Sequence, residues 1–210
     1  MKNSLILSLL ITLVFNCCNK VTNPEDHNSK PVILFTGSST IAMWTNLDLY
    51  FEQFNICNSG ISGITTDMMI KEKEKMIFSY NPSFIVMYAG ENDLLLISPN
   101  ELKNNMDYLI EQIQFRLPNT QLLILSLKPS PYRKSKHPEF IKANYFYKEY
   151  AAKYSNIHFI DIWNPMINQD NTINSIYFMK DSLHLSEQGY DLISELTLNK
   201  ILSIQHTQEN

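Results

Sequence analysis

The chain has 210 residues, 44% hydrophobic and 18% charged, proportions of one globular domain with a real core and not of a disordered, fibrous or multi-domain polypeptide. Lys and Arg number 17 against 21 Asp and Glu, a net charge of −4 that excludes the broad positive field on which nucleic-acid binding draws. Three cysteines, two of them adjacent, exclude a disulfide scaffold, and no CxxC or zinc-type spacing is present.

The chain opens with Lys2 and then runs uncharged over residues 3–19, with an apolar stretch of 11 residues from Leu5 to Phe15. A membrane-crossing helix needs roughly 20 apolar residues, whereas a cationic start and a short apolar run are the layout of a secretory signal. Residues 1–16 are therefore set apart from the fold. Val14-Phe15-Asn16-Cys17 resembles the lipobox of bacterial lipoproteins, although Asn16 stands where that pattern prefers a small residue. The resemblance implies cleavage before Cys17, its lipidation, and an exported protein tethered to a membrane in the cell envelope or periplasm. A plain cleaved signal and secretion are the alternative, and Cys18 is a second candidate for the lipid. Residues 17–30 are polar and read as a tether, 31–205 as the folded domain and 206–210 as a tail.

From residue 31 onward, short apolar runs alternate with longer helical patterns, and no repeat interrupts them. The apolar runs at 32–36, 54–58, 84–88, 122–127 and 157–162 are continuous rather than alternating, as expected for strands buried on both faces of a parallel sheet. An α/β fold with five parallel strands follows. A helix is predicted over 65–79, with Lys71 to Lys75 as a solvated face and Met68, Met69, Met76 and Ile77 turned to the sheet. Ser98-Pro99-Asn100-Glu101 supplies an N-cap, a Pro at the first helical position and a Glu at the third. It opens a helix with Leu102, Met106, Leu109, Ile113 and Leu117 on one face. Further helices are predicted over 138–154 and 186–204, with 164–180 irregular.

In an open parallel sheet, ligands sit outside the carboxyl ends of the strands. After the first strand comes Gly37-Ser38-Ser39-Thr40, and after the second Asn58-Ser59-Gly60-Ile61-Ser62-Gly63. After the third comes Gly90-Glu91-Asn92-Asp93, and before the last helix Asp181-Ser182-Leu183-His184. Each of these is weak alone; their order and placement carry the signal. Together they resemble the SGNH hydrolases, also called GDSL esterases and lipases, over nearly the whole chain from Pro31 to Ile204. The resemblance implies a three-layer α/β/α, flavodoxin-like fold and a serine ester hydrolase. Residue by residue, it makes Ser39 the nucleophile and Asp181 and His184 the rest of the triad. The oxyanion hole would be formed by Ser39, Gly60 and Asn92. Ser38 stands where many members have Asp, which leaves both serines of the pair in view.

The groups themselves explain the chemistry. A serine hydroxyl needs a base, a neutral imidazole is suited to that task, and a carboxylate can fix its tautomer. No metal or other cofactor is required. His27 in the tether, His137 before Pro138, His158 in a strand and His206 in the tail have no Asp three residues ahead. Cys57 reads as a small buried hydrophobe.

Ser38, Trp44, Lys128 and Tyr132 are positioned to line a pocket, and the aromatic run from Tyr145 to Tyr154 reads as core and helix surface. Trp44 and the loop Lys128-Pro129-Ser130-Pro131 look like those of small bacterial esterases within the family. A compact domain without a long lid favours short acyl groups, especially acetyl, on small or carbohydrate esters. The alternatives are a lipid-directed acylhydrolase, such as a lysophospholipase or platelet-activating-factor acetylhydrolase-like enzyme, and a glycan-binding lipoprotein whose catalysis has lapsed.

Overall fold

The computed structural model describes residues 30–208, so the signal segment, Cys17, His27 and the tether up to residue 29 lie outside the described residues. The apolar runs fold into one parallel sheet of β1 (Val32–Gly37), β2 (Asn55–Asn58), β3 (Phe84–Tyr88), β4 (Gln121–Leu125) and β5 (Ile157–Ile160). Each begins within one residue of the run that predicts it. The spatial order is β2-β1-β3-β4-β5. The inner strands β1, β3 and β4 are buried almost throughout, while β2 and β5, at the edges, are buried only in part.

Between β1 and β2 lie the short helices α1 (Ser39–Ala42) and α2 (Leu47–Tyr50). Before β3 come α3 (Thr66–Lys71) and α4 (Lys73–Met76); α5 (Pro99–Arg116), α6 (His137–Lys153) and α7 (Glu187–Gln208) complete the set. Helix α5 packs against both α3 and α6, and α2 packs against α7. Parallel strands are joined by right-handed crossovers, so the reversal of direction after β2 puts these two groups on opposite faces. The result is the expected α/β/α sandwich.

Local chemistry sets several of these boundaries. At the start of α5, Ser98 Oγ accepts from the Glu101 N–H at 3.3 Å while the Glu101 carboxylate accepts from the Ser98 N–H at 2.9 Å, a complete capping box. Leu102, Met106, Leu109, Ile113 and Leu117 are all buried, as their spacing requires.

Three expectations need correction. The helix predicted over 65–79 is broken: Glu72, at φ −99° and ψ 12°, separates α3 from α4, and a 3₁₀ turn at Phe78–Tyr80 follows. The break lets Met69, Met76 and Ile77 all reach the core, while Met68 is turned outward. Helix α7 runs through His206 to Gln208, past the expected tail boundary, because Ile201 and Ile204 still bury an apolar stripe. Cys57 is buried as expected, yet it is disulfide-bonded rather than a free thiol.

Truncating a side chain on the buried stripe of α5 should matter far more than truncating one on its outer face. Leu109→Ala should cost about 2–5 kcal/mol of unfolding free energy. Phe115→Ala, at a side chain 83% exposed, should stay within about 0.5 kcal/mol, both read by urea denaturation.

Candidate active site

The order β2-β1-β3 places a topological switch between β1 and β3, where the connections leave in opposite directions and open a crevice at the carboxyl ends. The first block stands there because Gly37 ends β1 at φ +138°, a conformation that L side chains rarely adopt, and a Cβ would collide with the Tyr88 carbonyl. Ser38 follows in extended conformation and donates its N–H to that carbonyl at 3.0 Å. Its side chain is buried, whereas Ser39, the first residue of α1, is half-buried. Of the two serines, Ser39 is thus the one with access to a substrate.

The second block packs directly on the first. The Ser59 N–H donates to the Phe35 carbonyl at 2.9 Å and the Ile61 N–H to the Gly37 carbonyl at 2.8 Å. Gly60 lies so close to α1 that a Cβ would sit 2.5 Å from the Ala42 nitrogen. Its N–H, assigned by resemblance to an oxyanion, donates to Asn58 Oδ1 at 2.9 Å, while Asn58 Nδ2 donates to the Ile41 carbonyl at 2.9 Å. Asn58 therefore ties the glycine turn to the end of the serine helix, a role its place in a strand did not suggest.

In the third block, Asn92 Nδ2 donates to the Ile64 carbonyl at 3.0 Å and Oδ1 accepts from Arg133 Nη2 at 3.1 Å. In the fourth, Asp181 Oδ2 accepts from His184 Nδ1 at 2.6 Å. Asp181 Oδ1 accepts the backbone N–H groups of Leu183 at 2.9 Å and His184 at 3.0 Å. The turn closes through Ser182 at φ 60°. These bonds, the imidazole's first and the two N–H groups next, hold the Asp181 carboxyl at about 2, so it is ionised across any ordinary assay range.

The blocks are stitched together by polar contacts between elements. Tyr190, in α7, donates to the Thr40 carbonyl at 3.1 Å, and the Tyr132 N–H donates to the Ser182 carbonyl at 2.9 Å. Among the described residues no hydrogen bond joins His184 to Ser39.

Beneath the blocks lies a buried charge cluster. Lys128 Nζ, on a side chain 1% exposed, is 2.5 Å from Glu91 Oε2 and donates to Thr40 Oγ1 at 3.1 Å. Glu91 also accepts from Tyr88 at 2.6 Å and from Ser130 Oγ at 3.3 Å. Burial pushes the Glu91 carboxyl up, but the Lys128 charge and hydrogen bond, with Tyr88 and Arg133, more than reverse this and leave it below its ordinary value. Burial lowers the Lys128 amine in turn, and the Glu91 charge and hydrogen bond work against that lowering. Asp93, next to Asn92, caps the N-terminus of α3 by accepting from the Thr66 N–H at 2.8 Å and from the Thr66 hydroxyl, and burial raises its carboxyl.

Three residues expected to line a pocket do not. Trp44 is buried against Phe35, Phe51 and Tyr190, because α1 ends at Ala42 and the chain turns back into the core. Lys128 belongs to the buried cluster, and Ser38 is enclosed at the end of β1. Tyr132 is 71% exposed. The other described histidines have structural partners: His137 Nε2 with the Ser130 carbonyl at 3.1 Å, and His158 with Gln121 at 2.8 Å, burial lowering His158 to about 4. Of the aromatic run, Tyr147 and Tyr150 are core and Tyr145 is exposed. Among the described residues no group of three His, Cys, Asp or Glu is arranged to hold a metal ion.

Comparison with known proteins gives this arrangement its class. The model of the GDSL-like lipase/acylhydrolase family matches residues 40–192, most of the chain, and the protein belongs to that family. It is a carboxylic ester hydrolase. No curated protein matches the chain. Among solved structures it is similar to a GDSL-like lipase from Bacteroides thetaiotaomicron, with 21% identity over 83% of this chain and 89% of that one at a TM-score of 0.69. A lipase/acylhydrolase from Enterococcus faecalis matches with 21% identity over 81% and 95% of the two chains at 0.68. A variant of an acetyl-xylooligosaccharide esterase from Geobacillus matches with 16% identity over 82% and 94% at 0.68. At these identities the likeness speaks for a shared fold.

Removing one member of the buried pair should be far worse than its burial alone suggests. Lys128→Met leaves Glu91 buried without its main counter-charge and should lower stability by about 3–5 kcal/mol in urea denaturation.

Proposed function

We propose that the protein removes short acyl groups, acetyl above all, from small or carbohydrate esters through Ser39, His184 and Asp181. The observation that carries this reading is the 2.6 Å Asp181–His184 bond, preset in a turn that also satisfies both carboxylate oxygens. His184 takes the Ser39 hydroxyl proton as Oγ bonds to the ester carbon, then returns it to the leaving alkoxide; a water repeats the sequence to release the acid. The tetrahedral oxyanion is met by the amide of Asn92 and the N–H groups of Ser39 and Gly60. The Gly60 N–H must be shared with, or released by, Asn58. Each donor of this kind is worth about 10²–10³ in turnover.

Two features support a short acyl group. The floor of the site is packed, since Ser38, Thr40, Trp44 and Lys128 are each at most 2% exposed. One structural neighbour is an acetyl-xylooligosaccharide esterase. A second reading, a lipid-directed acylhydrolase, is favoured by a different observation. Leu95 and Leu96 follow Asn92, and Ile176 and Met179 precede Asp181; all four are exposed, Leu96 by 78%. Such apolar groups beside the site loops could receive a longer chain.

Acetate and butyrate p-nitrophenyl esters should be turned over with higher kcat/KM than the octanoate, and a reversed ranking would favour the lipid reading. Ser39→Ala should lower turnover at least about 10³-fold and abolish labelling by a fluorophosphonate, whereas Ser38→Ala should keep both. Wild-type protein that neither hydrolyses these esters nor labels would instead favour lapsed catalysis.

The same proposal extends to location. We infer that the protein is exported and anchored through Cys17, supported by the signal-like layout of residues 1–16 and the lipobox-like Val14-Phe15-Asn16-Cys17. The described chain begins at the amino end of β1, whereas the serine lies past its carboxyl end, so a tethered domain can hold its site away from the anchoring membrane. Cys17→Ala should move the protein from the membrane fraction to the soluble fraction of cells; unchanged fractionation would rule out lipidation at Cys17.

A further inference from the structure

Asn92 can donate to an oxyanion only if its carboxamide presents nitrogen, not oxygen, toward the reacting carbonyl. Both ends of that amide are engaged. Nδ2 gives one hydrogen to the Ile64 carbonyl at 3.0 Å, and Oδ1 accepts from Arg133 Nη2 at 3.1 Å. A guanidinium donates and never accepts. A flipped amide would set its NH₂ against the donors of Arg133 and its oxygen against the Ile64 carbonyl, turning two hydrogen bonds into two repulsions. In the observed orientation the second hydrogen of Nδ2 has no partner among the described residues.

The placement of Arg133 suits this task. It sits in the 3₁₀ turn Pro131–Lys136, its side chain 12% exposed. Nη1 donates to the Glu91 carbonyl at 3.1 Å and lies 3.5 Å from Glu91 Oε1, while Nε is buried and has no partner among the described residues. The guanidinium thus spends its hydrogen bonds on Asn92 and on the residue just before it. Glu91 in turn is held by Lys128, whose Nζ also binds Thr40, the neighbour of Ser39.

We propose that Arg133 is a positioning residue of the oxyanion hole, locking the Asn92 amide with its spare N–H available to the tetrahedral intermediate. The proposal rests on the ester-hydrolase reading with Ser39 as nucleophile. It differs from a merely structural role in one respect: all of the effect of Arg133 on the chemical step must pass through Asn92.

A double-mutant cycle tests this. Arg133→Met, Asn92→Ala and the pair would be purified with wild type, and kcat and KM measured on p-nitrophenyl acetate, with thermal unfolding as the check on folding. Arg133→Met should lower kcat about 10–100-fold with KM changed by less than about 2-fold. In the Asn92→Ala background the same substitution should lower kcat by no more than about 3-fold, because its route is already cut. Arg133→Lys, which keeps the charge but loses the fork, should fall between Arg133→Met and wild type, and it replaces Arg133→Met in the cycle should that variant not fold. Losses that multiply in the double variant, a rise in KM with kcat intact, or wild-type kinetics in Arg133→Met would each overturn the proposal. Failure of the underlying reading looks different, since wild type itself would then show neither ester hydrolysis nor fluorophosphonate labelling.

Discussion

At 2.5 Å, with both side chains shut away from water, the Lys128 ammonium and the Glu91 carboxylate form the contact on which the geometry of the site depends. Glu91 follows β3 and Lys128 follows β4, while Thr40, bound by the same ammonium, follows β1. One side chain, through two contacts, therefore ties together the carboxyl ends of three strands. A buried pair of this sort contributes little net stability against an apolar substitute, since desolvation consumes most of the attraction. What it does contribute is a unique arrangement: each charge must find the other, and only one relative placement of the loops allows it.

The sheet supplies the frame in which that placement is useful. With β1 and β3 adjacent and their connections leaving in opposite directions, the turn bearing Ser38 and Ser39 and the turn bearing Glu91 and Asn92 face one crevice. Gly37 and Gly60 permit the close approach of neighbouring backbones there. The Asp181 turn arrives from the irregular segment before α7, anchored by Tyr190 to the Thr40 carbonyl. Rigid strand ends carry Ser39, Gly60 and Asn92, and a short self-bonded turn carries Asp181 and His184. This division suits a reaction in which small displacements of the reacting groups cost much of the rate.

Much of the frame was legible in the chain itself, for local reasons. Apolar runs marked all five strands, most cleanly β1, β3 and β4, since a strand covered on both faces has no polar side to alternate with. Ser98 to Glu101 announced the start of α5, because capping is chemistry between residues three apart. Asp181 and His184 could be paired for the same reason. Where the prediction failed, a distant part of the fold had decided. The break at Glu72 serves Met69, Met76 and Ile77 together against the core, and Trp44 turned inward because Phe35, Phe51 and Tyr190 complete a cluster drawn from three separate elements.

The sequence by itself determined the strand pattern, the helix caps and four short blocks with the residues of a serine hydrolase, all features written in contacts within a few positions of the chain. Only the tertiary structure decided that Lys128 is a buried counter-charge and not a pocket wall, and that Arg133 grips Asn92. It alone showed that Asn58 holds Gly60. Each of these depends on two side chains 2.5–3.1 Å apart in space, or on one turned back onto its own loop, and burial or hydrogen-bond direction leaves no periodic trace in a linear order.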